Sequence, residues 1–119
     1  MKIAIIGGGA AGFFAAVNIA ESRSDCHIDI YEKSNKVLSK VKISGGGRCN
    51  VANNCTSKKD FSRAYPRGST FMKKVLHAFN KDDCMQWFED RGVPLVVQED
   101  DCVFPRSQSS QMKLFILLL

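Results

Sequence analysis

The first 33 residues alternate between apolar and polar stretches in a way that predicts a strand, a helix and a second strand. Four consecutive apolar residues, Ile3 to Ile6, predict a strand that is buried on both faces. The segment Ala10–Glu21 is rich in helix formers and gives way to polar residues, which predicts a helix. His27–Tyr31 predicts the second strand, and Glu32 stands at its end. The pattern therefore predicts a βαβ unit over residues 2–33.

The turn between the first strand and the helix has the spacing G-x-G-x-x-G, formed by Gly7, Gly9 and Gly12. Gly7 permits a tight turn, Gly9 lets the backbone approach a pyrophosphate, and Gly12 lets the helix pack closely on the strands. Backbone N–H groups at the start of the helix, together with the positive end of its dipole, favour phosphate binding. This pattern predicts a dinucleotide site and leaves FAD and NAD both open. A glycine turn that binds nothing is the alternative.

Glu32 is the acidic residue that such a site requires. It follows Gly12 by 20 residues, where a carboxylate can accept hydrogen bonds from the hydroxyls of the adenosine ribose. A negative charge at this position repels a 2′-phosphate, so we expect a phosphorylated nicotinamide cofactor to be disfavoured here.

Lysine, serine, asparagine and glycine replace the periodic pattern over residues 34–68, which predicts a long, mostly irregular loop. Ordered loops of this length are commonly functional. The centre of the loop reads S-G-G-G-R-C-N from Ser44 to Asn50. Its glycines let backbone amides approach a ligand, and Arg48 can form forked hydrogen bonds to a phosphate or carboxylate. The apolar neighbours Val41 and Ile43 favour a packed cofactor loop over a flexible linker.

Helical patterning returns after residue 68. Ser69 is the predicted N-cap of one helix, whose apolar face comprises Phe71, Val75, Leu76 and Phe79. Asn80 is the predicted N-cap of a second helix, which Gly92 ends. Val93–Gln98 and Asp101–Phe104 predict two strands around an acidic turn. The predicted elements in this part are helices over 69–91, a hairpin over 93–104 and an atypical tail over 111–119.

Charge and cysteine content exclude several classes of protein. The chain has 17 Lys and Arg against 12 Asp and Glu, but these basic residues are spread out and match no nucleic-acid module, so we predict no nucleic-acid partner. Five cysteines, without a C-x-x-C pair or a signal peptide, predict a cytoplasmic chain with reduced thiols and no metal site. The apolar run in the tail is far shorter than the roughly 20 residues that cross a bilayer, so we predict no membrane partner.

Four blocks of sequence together resemble a known family. These blocks are IAIIGGGAAGFFAA, YEKSNKVLSKVKISGGGRCN, the YPRG of residues 65–68 and the RGVPL…VFP run. Over residues 2–111 they resemble bacterial NAD(P)/FAD-dependent oxidoreductases of the aminoacetone oxidase type. The S-G-G-G-R-C-N block is more specific than the glycine spacing and favours FAD over NAD. The resemblance implies an α/β, Rossmann-like flavoprotein fold with two dinucleotide-binding domains, of which this chain is the N-terminal part.

The resemblance also implies roles for particular residues. The FAD pyrophosphate would be held by Gly7, Gly9, Ala10, Ala11 and Gly12. Glu32 and Lys33 would bind the adenosine ribose. The segment beside the pyrophosphate and the flavin would supply Lys42, Ser44, Gly45, Gly46, Gly47, Arg48, Cys49 and Asn50. The reaction would be the flavin's own hydride or electron transfer on an unidentified small molecule, with NAD(P)H as electron donor. No catalytic acid or base is assigned.

Proteins of that family are longer and continue into further strands and a substrate domain, so we expect a truncated N-terminal portion. Three interpretations follow. The chain is the FAD-binding portion of a flavin-dependent oxidoreductase, a non-catalytic dinucleotide-binding fragment, or an NAD-binding half-domain.

Overall fold

The structure is a computed structural model that describes residues 1–55 and 64–107, and these residues form two compact units that divide between Cys49 and Asn50. In the first unit the elements are β1 (Lys2–Ile6), α1 (Ala10–Ser22), β2 (His27–Tyr31) and α2 (Ser39–Ile43), followed by a short turn, Ser44–Gly47. In the second unit they are β3 (Ala52–Asn53), α3 (Ser69–Ala78), α4 (Lys81–Glu89), β4 (Leu95–Val97) and β5 (Cys102–Pro105). The predicted tail, 111–119, lies outside the described residues.

The first unit is a βαβ arrangement. Strands β1 and β2 pair in parallel, from Lys2 opposite His27 to Ile6 opposite Tyr31, and α1 connects them. The helix packs on the face that carries Ile5, whose Cγ2 lies next to the backbone of Gly12. Two-residue alternation of burial along β1 follows from this one-sided packing.

Burial of β1 on both faces was predicted, and this prediction is wrong for the described residues. Ile3 and Ile5 are half-buried, whereas Ala4 is exposed and 83% of the surface of Ile6 is accessible. The apolar run indicated a strand correctly, but the described part of the chain supplies α1 on only one face of the sheet. The outward-facing apolar residues therefore stay accessible.

The second unit contains an antiparallel sheet in the order β3-β5-β4. Its central strand β5 supplies the core of this unit, where Val103, Phe104 and Pro105 are buried. The predicted hairpin is formed by β4 and β5, with Leu95 opposite Pro105 and Val97 opposite Val103. Strand β3 was not predicted.

The segment 34–68 is less irregular than predicted. Its described part contains α2, the Ser44–Gly47 turn and β3, while residues 56–63 lie outside the described residues. Helix α2 begins after Leu38, which adopts a left-handed conformation with φ +54° and accepts a hydrogen bond from Lys42 N. A five-residue helix with such a start has too few residues to show helical periodicity in the sequence.

The start of α3 also differs from the prediction. Gly68, with φ +81°, occupies the cap position, and Ser69 is the first residue inside the helix. The apolar face of α3 remains accessible in this structure, with 68% of the Phe71 surface exposed and with Val75 and Phe79 also exposed.

Helix α4 begins as predicted at Asn80. The Asn80 side chain accepts hydrogen bonds from the amides of Asp82 (2.7 Å) and Asp83 (3.3 Å), and the Asp83 carboxylate accepts one from the Asn80 amide at 2.8 Å. Reciprocal capping of this kind contributes about 1 kcal/mol. Trp87 is buried, and the Arg91 guanidinium lies 4.1 Å above its ring. Gly92, with φ +76°, follows the end of the helix.

Candidate functional site

The turn from β1 into α1, residues 7–12, is the centre of the candidate site and is called here the glycine-rich turn. Gly7 has φ +110°, a conformation that glycine adopts at little cost. Its amide donates to the carbonyl oxygen of Tyr31 at 2.7 Å, so the turn begins where β2 ends. The structure therefore places Gly7 at the tight turn that the sequence predicted.

Gly9 lies at the N-cap of α1 in ordinary extended geometry, with φ −92° and ψ −171°. A Cβ atom at this position would meet no atom of residues 1–55 and 64–107 within 4 Å. Packing among these residues therefore does not require glycine here. In the described part of the chain no side chain caps this end of α1, and the adjoining Ala10 and Ala11 are exposed. The first turn of α1 is thus accessible to a ligand with negatively charged oxygens.

Gly12 is required for a different reason. A Cβ atom here would collide with the carbonyl oxygen of Gly7 and would lie 3.4 Å from Ile5 Cγ2. The missing side chain lets α1 approach β1 and the glycine-rich turn. This geometry agrees with the close helix–strand packing expected for the third glycine of the pattern.

Gly8 belongs to the glycine-rich turn, but no role for it was predicted from the sequence. It is buried, its amide donates to Glu32 Oε2 at 2.9 Å, and its carbonyl oxygen accepts from Leu38 N at 2.8 Å. A Cβ atom on Gly8 would lie 2.9 Å from Val37 Cγ1 and 3.1 Å from Glu32 Cβ. The available signal was the run of three glycines at 7–9, of which the dinucleotide spacing explains only two.

The Glu32 carboxylate is held by the chain itself. One oxygen accepts from the amide of Ser34 at 2.9 Å, and the other accepts from the amide of Gly8. These two donors, that of Ser34 first, lower the pKa of Glu32 below its ordinary value. The resulting stabilisation is present above the ordinary carboxyl range and is lost as the pH falls through the lowered pKa. Lys33, the other predicted ribose residue, is exposed.

The second glycine turn is Ser44–Gly47. The three glycines have φ of +57°, +69° and +88°, in the left-handed region that side chains disfavour. A Cβ atom on Gly46 would meet no atom within 4 Å in the described part of the chain, so those residues leave its backbone open on that side. Ser44 Oγ donates to the carbonyl oxygen of Val41 at 2.9 Å, and the Lys42 side chain is exposed.

Arg48 and Cys49 close the second glycine turn. Arg48 Nε donates to the carbonyl oxygen of Gly45 at 3.1 Å. The amide of Cys49 donates to the carbonyl oxygen of Ser44 at 3.1 Å. Only 4% of the Cys49 surface is accessible, and this burial raises the pKa of its thiol. Asn50 belongs to the second unit, where its Nδ2 donates to Cys102 Sγ at 3.6 Å.

The first unit therefore brings together the glycine-rich turn, Glu32 and the loop that leads to the second glycine turn. Hydrogen bonds link Gly8 to both Glu32 and Leu38, and Lys42 N donates in turn to Leu38 O.

The five cysteines have free thiols, and the described residues contain no group of three or more His, Cys, Asp or Glu arranged to hold a metal ion. Among those same residues, none of the helices has both the length and the apolar character needed to cross a bilayer.

Comparison with known families identifies this arrangement. The family model described as the HI0933-like protein Rossmann domain matches residues 1–118. The chain belongs to this family. Its members include FAD-binding Rossmann domains of oxidoreductases, so membership confirms the predicted α/β, Rossmann-like fold and the predicted FAD-binding class.

Two curated relatives are much longer than this chain. A 3-dehydro-bile acid delta(4,6)-reductase from Clostridium scindens is 30% identical over 116 residues, which cover 98% of this chain and 27% of the relative. A ribosomal RNA dihydrouridine synthase from Haemophilus influenzae is 28% identical over 89 residues, which cover 75% of this chain and 21% of the relative. The chain thus matches about a quarter of the length of each of these proteins.

Proposed function

We propose that this chain binds FAD through the glycine-rich turn and serves as the FAD-binding part of a flavin-dependent oxidoreductase, of the aminoacetone oxidase type that its sequence resembles. Gly9 is the observation that carries the proposal. Packing among the described residues does not explain its missing side chain, because a Cβ atom would meet none of their atoms within 4 Å, and the missing side chain leaves the start of α1 accessible. Close approach of a pyrophosphate accounts for both features.

The residues present suit the parts of FAD. The amides of the glycine-rich turn and of Ala10 and Ala11 would hold the pyrophosphate, and Glu32 with Lys33 would hold the adenosine ribose. The segment from Lys42 to Asn50 would lie along the pyrophosphate and the flavin. Bound FAD supplies hydride or electron transfer, and this chain's residues supply binding and orientation.

The negative charge of Glu32 supports selectivity against dinucleotides that carry a 2′-phosphate. Two backbone amides keep its carboxylate charged, and a charged carboxylate repels a 2′-phosphate. The charge of Glu32 therefore disfavours NADP at this site, while the family match favours FAD over NAD. We propose FAD as the resident cofactor, with NAD(P)H as the electron donor that reduces it.

The names of the relatives leave the substrate open, since one refers to a bile acid and the other to ribosomal RNA. One name describes a reductase and the other describes the formation of a dihydro base, and both fit the proposed reaction class, which is hydride or electron transfer through a bound flavin. A small molecule is the proposed substrate and nucleic acid is not, because the basic residues of this chain are spread along its sequence. Five free thiols support a reducing, cytoplasmic location.

Calorimetric titration of the chain, freed of any bound chromophore, tests the proposal with FAD, ADP, NAD and NADP as ligands. We expect FAD to bind most tightly and NADP most weakly. Tighter binding of NAD than of FAD would favour an NAD-binding half-domain, and binding of none of the four would contradict the proposal. FAD binding without reduction by NADH or NADPH would favour a non-catalytic dinucleotide-binding fragment.

A further inference from the structure

The loop between β2 and α2, residues 32–38, is bonded to both sides of Gly8. Glu32 Oε2 accepts from the Gly8 amide, and the Leu38 amide donates to the Gly8 carbonyl oxygen. A Cβ atom on Gly8 would lie only 2.9 Å from Val37 Cγ1, so the loop also leaves little room for a side chain at this position. Both peptide units that flank Gly8 are therefore fixed by one loop.

These bonds determine where the amide of Gly9 points. The carbonyl of Gly8 and the N–H of Gly9 belong to one planar trans peptide, so the two groups point in opposite directions. Because Leu38 bonds the carbonyl, the Gly9 N–H is directed away from the β2–α2 loop. Glu32 fixes the preceding peptide unit in the same way, through the Gly8 amide.

Leu38 shows that this arrangement is specific. It is a non-glycine residue with φ +54°, a conformation that costs free energy and persists only where the surroundings hold it. Only 2% of its surface is accessible, so burial of the side chain keeps the residue in place. The left-handed conformation is the one in which its amide meets Gly8.

We infer that Glu32 and Leu38 are positioning residues that fix the Gly8 backbone and so aim the Gly9 amide at the phosphate position before any ligand binds. This inference rests on the proposed function and adds a second role for Glu32, separate from its proposed contact with the ribose. Preorganisation of this kind removes a conformational cost from binding. The β2–α2 loop is thereby a structural part of the phosphate site.

Ligands that lack ribose hydroxyls separate the two roles of Glu32. Binding of ADP and of 2′,3′-dideoxy-ADP is measured on the parent chain and on Glu32→Ala. We expect Glu32→Ala to lower the affinity for dideoxy-ADP about tenfold. The affinity for ADP should fall by more, because ADP also loses the hydrogen bonds between its ribose hydroxyls and Glu32. Equal binding of dideoxy-ADP to the two proteins would overturn the positioning role. Glu99→Ala, which removes the same charge from an exposed turn of the second unit, is the matched control and should bind both ligands like the parent.

Amide hydrogen exchange in the ligand-free chain gives a readout that does not depend on binding. We expect the Gly8 and Ser34 amides to exchange at least tenfold faster in Glu32→Ala than in the parent or in Glu99→Ala. Unchanged exchange at Gly8 would overturn the inference. If the parent binds neither nucleotide, the proposed function fails while the exchange result still decides the positioning role. If Glu32→Ala does not fold, Glu32→Gln, which keeps one acceptor oxygen, is used in both measurements with a smaller expected effect.

Discussion

Replacing Gly9 by valine is expected to lower the affinity for FAD by at least a hundredfold while changing the free energy of unfolding by about 1 kcal/mol or less. The two effects separate because the Cβ of Gly9 would point into space that no atom of the described residues occupies within 4 Å. The Cβ atom of valine therefore meets none of these residues in the free protein. The valine side chain would occupy the position that the pyrophosphate approaches in the proposed FAD complex, at the start of α1.

The measurement is FAD titration of Gly9→Val beside urea unfolding of the same protein. Ala20→Val, at an exposed position near the other end of α1, is the matched control, because it adds a β-branched side chain to the same helix away from the turn. We expect the control to bind FAD like the parent. Parent-like affinity in Gly9→Val would show that the glycine-rich turn does not contact the ligand.

Replacing Gly12 by alanine is expected to destabilise the chain by about 2 kcal/mol. The added Cβ would collide with the Gly7 carbonyl oxygen, a backbone atom that cannot rotate away, and would press on Ile5. Overpacking of this kind costs roughly 1–3 kcal/mol, and more where backbone must shift. The higher helix propensity of alanine stabilises the helix by only about 1 kcal/mol. The net effect is therefore a lower free energy of unfolding.

Urea unfolding checks this second prediction, with Gly9→Ala as the matched control. Both variants add one methyl group to a glycine of the same turn, but only the methyl group at Gly12 meets other atoms. We expect the control to keep a parent-like unfolding midpoint. A Gly12→Ala protein as stable as the parent would mean that α1 does not need its close approach to the turn.

Strands β1 and β2 and helix α1 of the first unit could be predicted because their signals are local. The apolar run of β1, the helix formers of α1 and the apolar stretch of β2 each lie within the element that they specify, and the structure has those elements at nearly the predicted bounds. The capping box at Asn80 is also local, since it involves residues three apart. Signals of this kind need no knowledge of the tertiary structure.

Several of the features that were not predicted share one physical cause, which is dependence on residues distant in sequence. Strand β3 has two residues and exists because Ala52 and Asn53 pair with β5, about fifty positions later. Gly8 is fixed by Glu32 and Leu38, neither of which its neighbours in sequence indicate. The exposure of Ile6 depends on what covers the second face of the sheet, a property that an apolar run does not record.

The visible absorption spectrum of the purified chain, with identification of any chromophore released on denaturation, is a direct test of the proposed FAD binding. We predict a flavin spectrum and the release of FAD, because the start of α1 is open at Gly9 and the Gly8 amide is bonded to Glu32. A folded, colourless chain that stays colourless and shows no bound flavin after incubation with FAD and removal of the excess would contradict the account.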